Sequence, residues 1–314
     1  ASGVVFDHRG ERHSVEAEKE VILSGGAINS PQTLMLSGIG PADHLRAMGI
    51  EVKRDLAGVG QNLQDHAAVA IQFTCRKSFP MHRVDQPFNK LIAGAQWMFT
   101  RTGPASSNIY EAGGLVRGND DVDYPNLQYH LGPTGYEYEG EKIKLLQAFN
   151  IQVDQLRPRS SGHIELKSTS PGDKPALFFN YLSDAFDLQE LVEGVKKMRD
   201  LVSQPAFADL YGKELGDHAD ARTQQELEEL VRYGVTTDYH PCGTCRMGHD
   251  AGAVVDAELR VHGMEALRVV DASVMPRVVS ANLNAPTQMI ASRAADYILG
   301  KPQLTPFEAT FAFQ

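Results

Sequence analysis

The segment Tyr239-His-Pro-Cys-Gly-Thr-Cys-Arg-Met-Gly-His249 gathers two histidines and two cysteines within one short stretch. Side chains of these types invite two kinds of chemistry. Cys242 and Cys245, with His240 and His249, offer four zinc ligands, but a structural zinc site staples two separated segments, and ligands this close leave almost no loop to staple. A redox Cys-x-x-Cys would sit in a thioredoxin-like βαβ pattern, and no such pattern surrounds these thiols. Taken alone, the segment reads best as a loop with a satisfied histidine and two small buried thiols.

A second candidate lies near the start of the chain. Glu20-Val-Ile-Leu-Ser24 is a nearly continuous apolar run that reads as a buried parallel strand ending in Gly25-Gly26. A helix is expected to follow, with Asn29 or Ser30 as cap, Pro31 at the first helical position, and Gly38 or Gly40 at its end. Strand, glycine turn and helix N-terminus make a corner that can hold an anion such as a pyrophosphate, or a plain tight connection of an α/β sheet.

These segments need elements to hold them. At 314 residues the chain suffices for one large or two ordinary domains, and its 42% hydrophobic and 22% charged residues are those of a globular protein. A net charge of −10, with scattered basic residues, argues against a nucleic-acid partner and tolerates a cationic substrate. No apolar run approaches the roughly 20 residues that span a bilayer, and the first residues lack a signal-peptide pattern. Three cysteines are too few for a disulfide framework, which points to a reducing, cytoplasmic setting, with peripheral attachment to a membrane left open.

Residues 4–15 read as strand, turn and strand, so the chain is expected to begin mid-fold. Between about residues 67 and 181, alternating runs such as Val69-Ile71-Phe73, Leu127-Tyr129-Leu131 and His163-Glu165-Lys167 predict an antiparallel sheet. Helical spacing over 187–202 and 223–233 adds helices to it. The last third returns to α/β texture: Leu267-Arg-Val-Val-Asp271 is a strand ending in a carboxylate, and a helix runs from Asn284 to a terminating Gly300. The expected organisation is residues 1–66 and 236–300 sharing one domain, 67–235 inserted as a second, and 301–314 as a tail.

Five motifs in order give these elements a family. Gly26-Ala-Ile-Asn-Ser-Pro-Gln-Thr-Leu-Met-Leu-Ser-Gly-Ile-Gly-Pro41 resembles the second signature of the glucose-methanol-choline (GMC) oxidoreductases, and Val59-Gly-Gln-Asn-Leu-Gln-Asp-His66 the segment that follows it. The cluster 239–248, Arg260-Val-His-Gly263 with Leu267-Arg-Val-Val-Asp-Ala-Ser-Val-Met-Pro276, and Asn282-Leu-Asn-Ala-Pro-Thr287 resemble the family's later motifs. The resemblance covers residues 4–300, and is nearest to choline dehydrogenase and related alcohol dehydrogenases.

The resemblance implies an α/β plus α+β fold, in which part of a discontinuous, Rossmann-like FAD-binding domain carries an inserted antiparallel-sheet substrate domain packed with helices. It implies an EC 1.1 enzyme whose FAD accepts a hydride from a primary alcohol, choline being the foremost candidate. His240 is similar to the family's catalytic histidine, and Asn284 to its partner, where an asparagine can orient the alcohol but take no proton. The helix from Asn284 would aim its N-terminus at the pyrimidine end of the flavin. Cofactor contacts are implied at Gly25, Ala27, Asn29, Ser30, Asp271, Ala272, Asn284, Pro286 and Thr287. Glu111 resembles a carboxylate that faces a trimethylammonium group and Tyr239 an aromatic wall beside it, a combination that suits a cation with no hydrogen-bond donor. No metal is implied.

The family's opening Gly-x-Gly-x-x-Gly turn, with an acidic residue about 20 positions on, has no counterpart here. The expectation is a C-terminal part that needs its N-terminal part as partner and is inactive alone. An uncharged alcohol as substrate, or a non-redox member like the family's hydroxynitrile lyases, remains open, as do the electron acceptor, covalent attachment of FAD and the oligomeric state.

Overall fold

The computed structural model describes residues 1–306, which fall into two compact units. The first unit is built from Ala1–His66, Arg157–Ser183 and the described residues from Tyr239 on; the second from Ala67–Leu156 and Asp184–Asp238. Among the described residues no helix is long and apolar enough to cross a membrane.

In the first unit, Val21–Leu23 pairs in parallel with Leu267–Val269, so the apolar runs at the two ends of the sequence meet in one sheet. A hairpin, Gly3–His8 with Glu11–Glu16, turns on Arg9 and Gly10, both at positive φ. The core beneath gathers Leu34, Met35, Leu45, Leu63, Ile164, Val254, Val269 and Val274, with both cluster cysteines inside it. Residues 157–183 were expected in the inserted domain. Their place in the first unit follows from Gly162–Glu165, which pairs on one side with Gln61–Leu63 and on the other with Ala176–Phe178. Ile164 adds its amide to the Gly60 carbonyl and its side chain to the core.

The helix after the glycine turn also differs from expectation. It runs Gly26–Leu36 with Gly25 as its cap, so Pro31 lies inside it. An internal proline leaves the carbonyl four residues back without its amide donor. Here that carbonyl belongs to Ala27 and accepts from the Thr244 hydroxyl at 2.6 Å, both residues being buried. The sequence break thus becomes a joint between the glycine corner and the cysteine cluster. At the far end Gly38, at φ +84°, donates to the Met35 carbonyl and closes the helix as expected.

The second unit is the expected antiparallel sheet, ordered Tyr211–Glu214, Ala67–Cys75, Ala148–Gln155, Leu127–Gly132, Ala112–Val116. Alternation divides its faces. Val69, Val153, Leu127 and Tyr129 pack toward the helices Ala185–Ser203 and Gln224–Gly234, with Tyr129 donating to the Gly194 carbonyl at 2.8 Å. The helix starts are fixed locally, by Asp184 accepting from the Phe186 amide and by a Thr223–Glu226 capping box.

The opposite face carries Gln72, Asn150, Gln152, Asp154, Gln128 and His130. On it His130 Nε2 lies 2.9 Å from Oδ2 of Asp154, whose side chain is wholly buried, and the Gln152 amide bridges Asp154 to Asp238. The Asp154 bond holds His130 above the ordinary imidazole range against an opposing loss of hydration. Burial pushes Asp154 up, and its bond to His130 opposes that. Both directions mean that the folded state binds more protons than the unfolded one. Stability should therefore decline as pH rises, first above the ordinary carboxylate range because of Asp154 and again as pH rises through the elevated His130 value. Melting temperatures across roughly pH 6 to 9 should decline in the native protein and decline less in His130→Gln; parallel curves would refute the assignment.

Candidate active site

Two chain segments hold His240. Gln64 and Cys242 exchange backbone hydrogen bonds at 3.0 and 2.9 Å, which lays residues 62–66 beside residues 240–243. Residues 243–247 then donate to the backbone carbonyls of Ala272, Ser273 and Val274. The backbone amide of His240 donates to Asp65 Oδ1 at 2.9 Å, and the other carboxylate oxygen of this buried residue accepts from the Tyr181 hydroxyl. Just before it, Tyr239 sits at φ +60°, a conformation costly for a tyrosine, and leaves its ring exposed. That turn aims the His240 imidazole back toward His66, whose Nδ1 lies 3.0 Å from Nδ1 of His240, with the rings edge to face.

On the other side of the ring, the Asn282 amide nitrogen lies 3.3 Å from His240 Nε2. The sequence pointed to Asn284 instead. Asn284 opens the helix Asn284–Ile298, and its side-chain oxygen accepts from Gln288 at 2.8 Å. This helix has no side-chain cap and no acidic residue in its first turn, and Asn284 and Ala285 are exposed. Its first amides are therefore open to a ligand that carries or develops negative charge. Thr287 returns its hydroxyl to the Leu283 carbonyl, and Pro286 occupies a first-turn position where no amide donor is needed.

The glycine corner behaves differently from a vacant anion site. Asp271 Oδ2 accepts from the Gly26 amide at 3.0 Å and the Ser30 hydroxyl at 2.6 Å, while Oδ1 accepts from the Ser273 amide at 2.8 Å. The Ser30 oxygen in turn accepts from the Gly25 amide. The anion at this helix start is thus the protein's own carboxylate, and a pyrophosphate in the same spot would meet its charge. Ala27 and Ser30 are committed to packing, whereas Gly25 and Asn29 stay exposed and Ala272 half-buried. The residues present fit the charge-developing end of a flavin at the Asn284 helix, and do not fit a phosphate inside the corner.

The two cysteines stand apart from this chemistry. Burial pushes the Cys242 thiol up to about 12 and that of Cys245 higher still, and both thiols lie in the core of the first unit. Glu111 belongs to the second unit, where it lines a cavity of about 480 Å³ with Phe79, Leu131, Phe149 and Phe207. His66, Asp65 and Asn282 all lie in segments prominent in the sequence, yet only their separation-spanning hydrogen bonds mark them out.

Comparison with known proteins follows this layout. Residues 1–68 and 158–291 match the two parts of the GMC oxidoreductase family. The chain is 45% identical over 308 residues to the oxygen-dependent choline dehydrogenase of Staphylococcus xylosus, covering 97% of this chain and 55% of that protein. With the Burkholderia cenocepacia protein of the same name the figures are 41%, 99% and 55%, so the chain spans about half the length of these relatives. Among solved structures, a formate oxidase of Aspergillus oryzae, studied for its FAD modification, superposes with a TM-score of 0.87 at 27% identity over 95% of this chain and 57% of that one. By motif order, matched regions and structural likeness, the chain belongs to the GMC oxidoreductase family.

Proposed function

We propose that this chain is the catalytic part of an FAD-dependent enzyme that oxidises a primary alcohol to an aldehyde, with choline as the preferred substrate. The observation that carries the proposal is a histidine fixed at backbone and ring, with an asparagine amide at its outer nitrogen, in a unit whose last helix has an open, uncapped start. Bound FAD supplies the hydride acceptor, which no side chain can replace. The chain's own residues do the rest. His240 accepts the hydroxyl proton as the carbon loses its hydride, and the amide of Asn282 or Asn284 donates to the alcohol oxygen and orients it. The helix from Asn284 stabilises negative charge that builds as the cofactor is reduced.

Glu111 and the aromatic rings lining its cavity support a cationic substrate, and similarity to choline dehydrogenases supports choline in particular. Glu111→Gln should raise KM for choline roughly 10- to 100-fold through loss of charge attraction and leave a neutral primary alcohol unaffected. Equal KM changes for both would remove Glu111 from substrate recognition. The activity is assigned to the protein at its full length. Without a Gly-x-Gly-x-x-Gly turn in its 314 residues, the isolated chain is expected to hold FAD weakly. Anaerobic flavin absorbance tests the proposal: choline should bleach it in the native protein but not in His240→Ala. Bleaching by neutral alcohols alone would reassign the substrate, and a flavin left oxidised by every alcohol would overturn the redox function.

A further inference from the structure

His66 is fully buried, and its Nε2 lies 2.8 Å from the Val279 carbonyl oxygen. A carbonyl oxygen only accepts, so Nε2 must carry the proton of a neutral His66, and Nδ1 is left with a lone pair. That lone pair faces His240 Nδ1 at 3.0 Å. A hydrogen bond there requires the proton to sit on His240 Nδ1, which leaves the His240 lone pair on Nε2, the nitrogen 3.3 Å from the Asn282 amide donor. The polarity of four groups is thus set from one backbone carbonyl: Asn282 donates to His240, His240 to His66, and His66 to Val279.

We propose that His66 is a positioning residue that fixes the tautomer of His240, so that its basic nitrogen is Nε2. This rests on the assignment of His240 as proton acceptor. The role follows from geometry, because a neutral imidazole offers a lone pair on one nitrogen only, and the wrong tautomer would present an N–H to the alcohol. His66 also keeps an acceptor opposite His240 Nδ1 when Nε2 takes its proton, so the imidazolium retains a partner. The spacing is enforced by the backbone exchange between Gln64 and Cys242 and by the Asp65 bond to the His240 amide, one residue from His66 and at His240 itself.

The test uses the FAD-loaded full-length protein. His66→Leu removes the acceptor at similar volume and should lower kcat about 100-fold or more with KM little changed, in line with the penalty of a misassigned tautomer in a catalytic triad. His66→Asn places an amide oxygen near the lost Nδ1 and should recover kcat to within about tenfold of native. Independently of turnover, nitrogen-15 NMR of labelled histidines should show His240 protonated at Nδ1 in the native protein and as a tautomer mixture in His66→Leu. An unchanged kcat in His66→Leu, equal losses in both variants, or a native His240 protonated at Nε2 would each overturn the proposal. Failure of the underlying assignment looks different: His240→Ala would retain hydride transfer while the NMR result stood unaltered.

Discussion

His240→Ala should reduce the rate of alcohol oxidation by roughly 10²- to 10⁴-fold, the range over which a positioned general base contributes. The loss should fall on kcat and kcat/KM together, because proton acceptance matters in the transition state and adds little to ground-state binding. His240→Gln is the informative companion: it can hydrogen bond to the alcohol but takes no proton, so it should bind the substrate and remain slow. Stopped-flow reduction of the flavin under anaerobic conditions measures the step directly. A rate within tenfold of native would exclude His240 as the base, and the Asp65 and His66 bonds around it would then serve the loop alone.

The second large effect is one of stability. Asp271 accepts from the Gly26 amide, the Ser30 hydroxyl and the Ser273 amide, and it is buried. Asp271→Ala would leave these three donors without their acceptor, at about 1–3 kcal/mol for each group left unsatisfied, so a total of roughly 3–9 kcal/mol is expected. Asp271→Asn keeps one oxygen acceptor and places an amide against donors, and should fall between. Denaturant titration should show the midpoint shifted with an unchanged slope. A variant of native stability that merely binds FAD less well would instead make Asp271 a cofactor contact, as family resemblance implied.

Much of this architecture is legible in the sequence, for identifiable reasons. The helices Ala185–Ser203 and Gln224–Gly234 have strong local signals, an amphipathic spacing and side-chain caps. Val21–Leu23 and Leu267–Val269 are apolar strands flanked by turn residues, and the ordered motifs tie them together. What escapes is long-range. Nothing local in His163-Glu165-Lys167 says that it pairs with Gln61–Leu63 rather than with the sheet of Ala67–Cys75. Pro31 reads as a helix start, since the Thr244 hydroxyl that satisfies the freed carbonyl lies far away in the chain. His66 carries no mark of its own, and its meaning rests on a bond to a residue 174 positions away. Asn284 is marked by its motif position, whereas the Asn282 amide that lies 3.3 Å from the imidazole is placed by the loop before the helix.

The parallel pairing of Val21–Leu23 with Leu267–Val269 bears on how the protein is made. A ribosome delivers the first strand long before its partner, and every residue of the second unit emerges in between. That unit is continuous apart from one excursion, and its sheet can close while translation proceeds. The first unit cannot, so Val21, Leu34 and Met35 lack the part of their core supplied by Val254, Val269 and Val274 until those residues have been synthesised. During this interval the nascent protein exposes apolar surface that a chaperone would recognise, and premature termination before Leu267 would leave the first unit without its parallel partner strand.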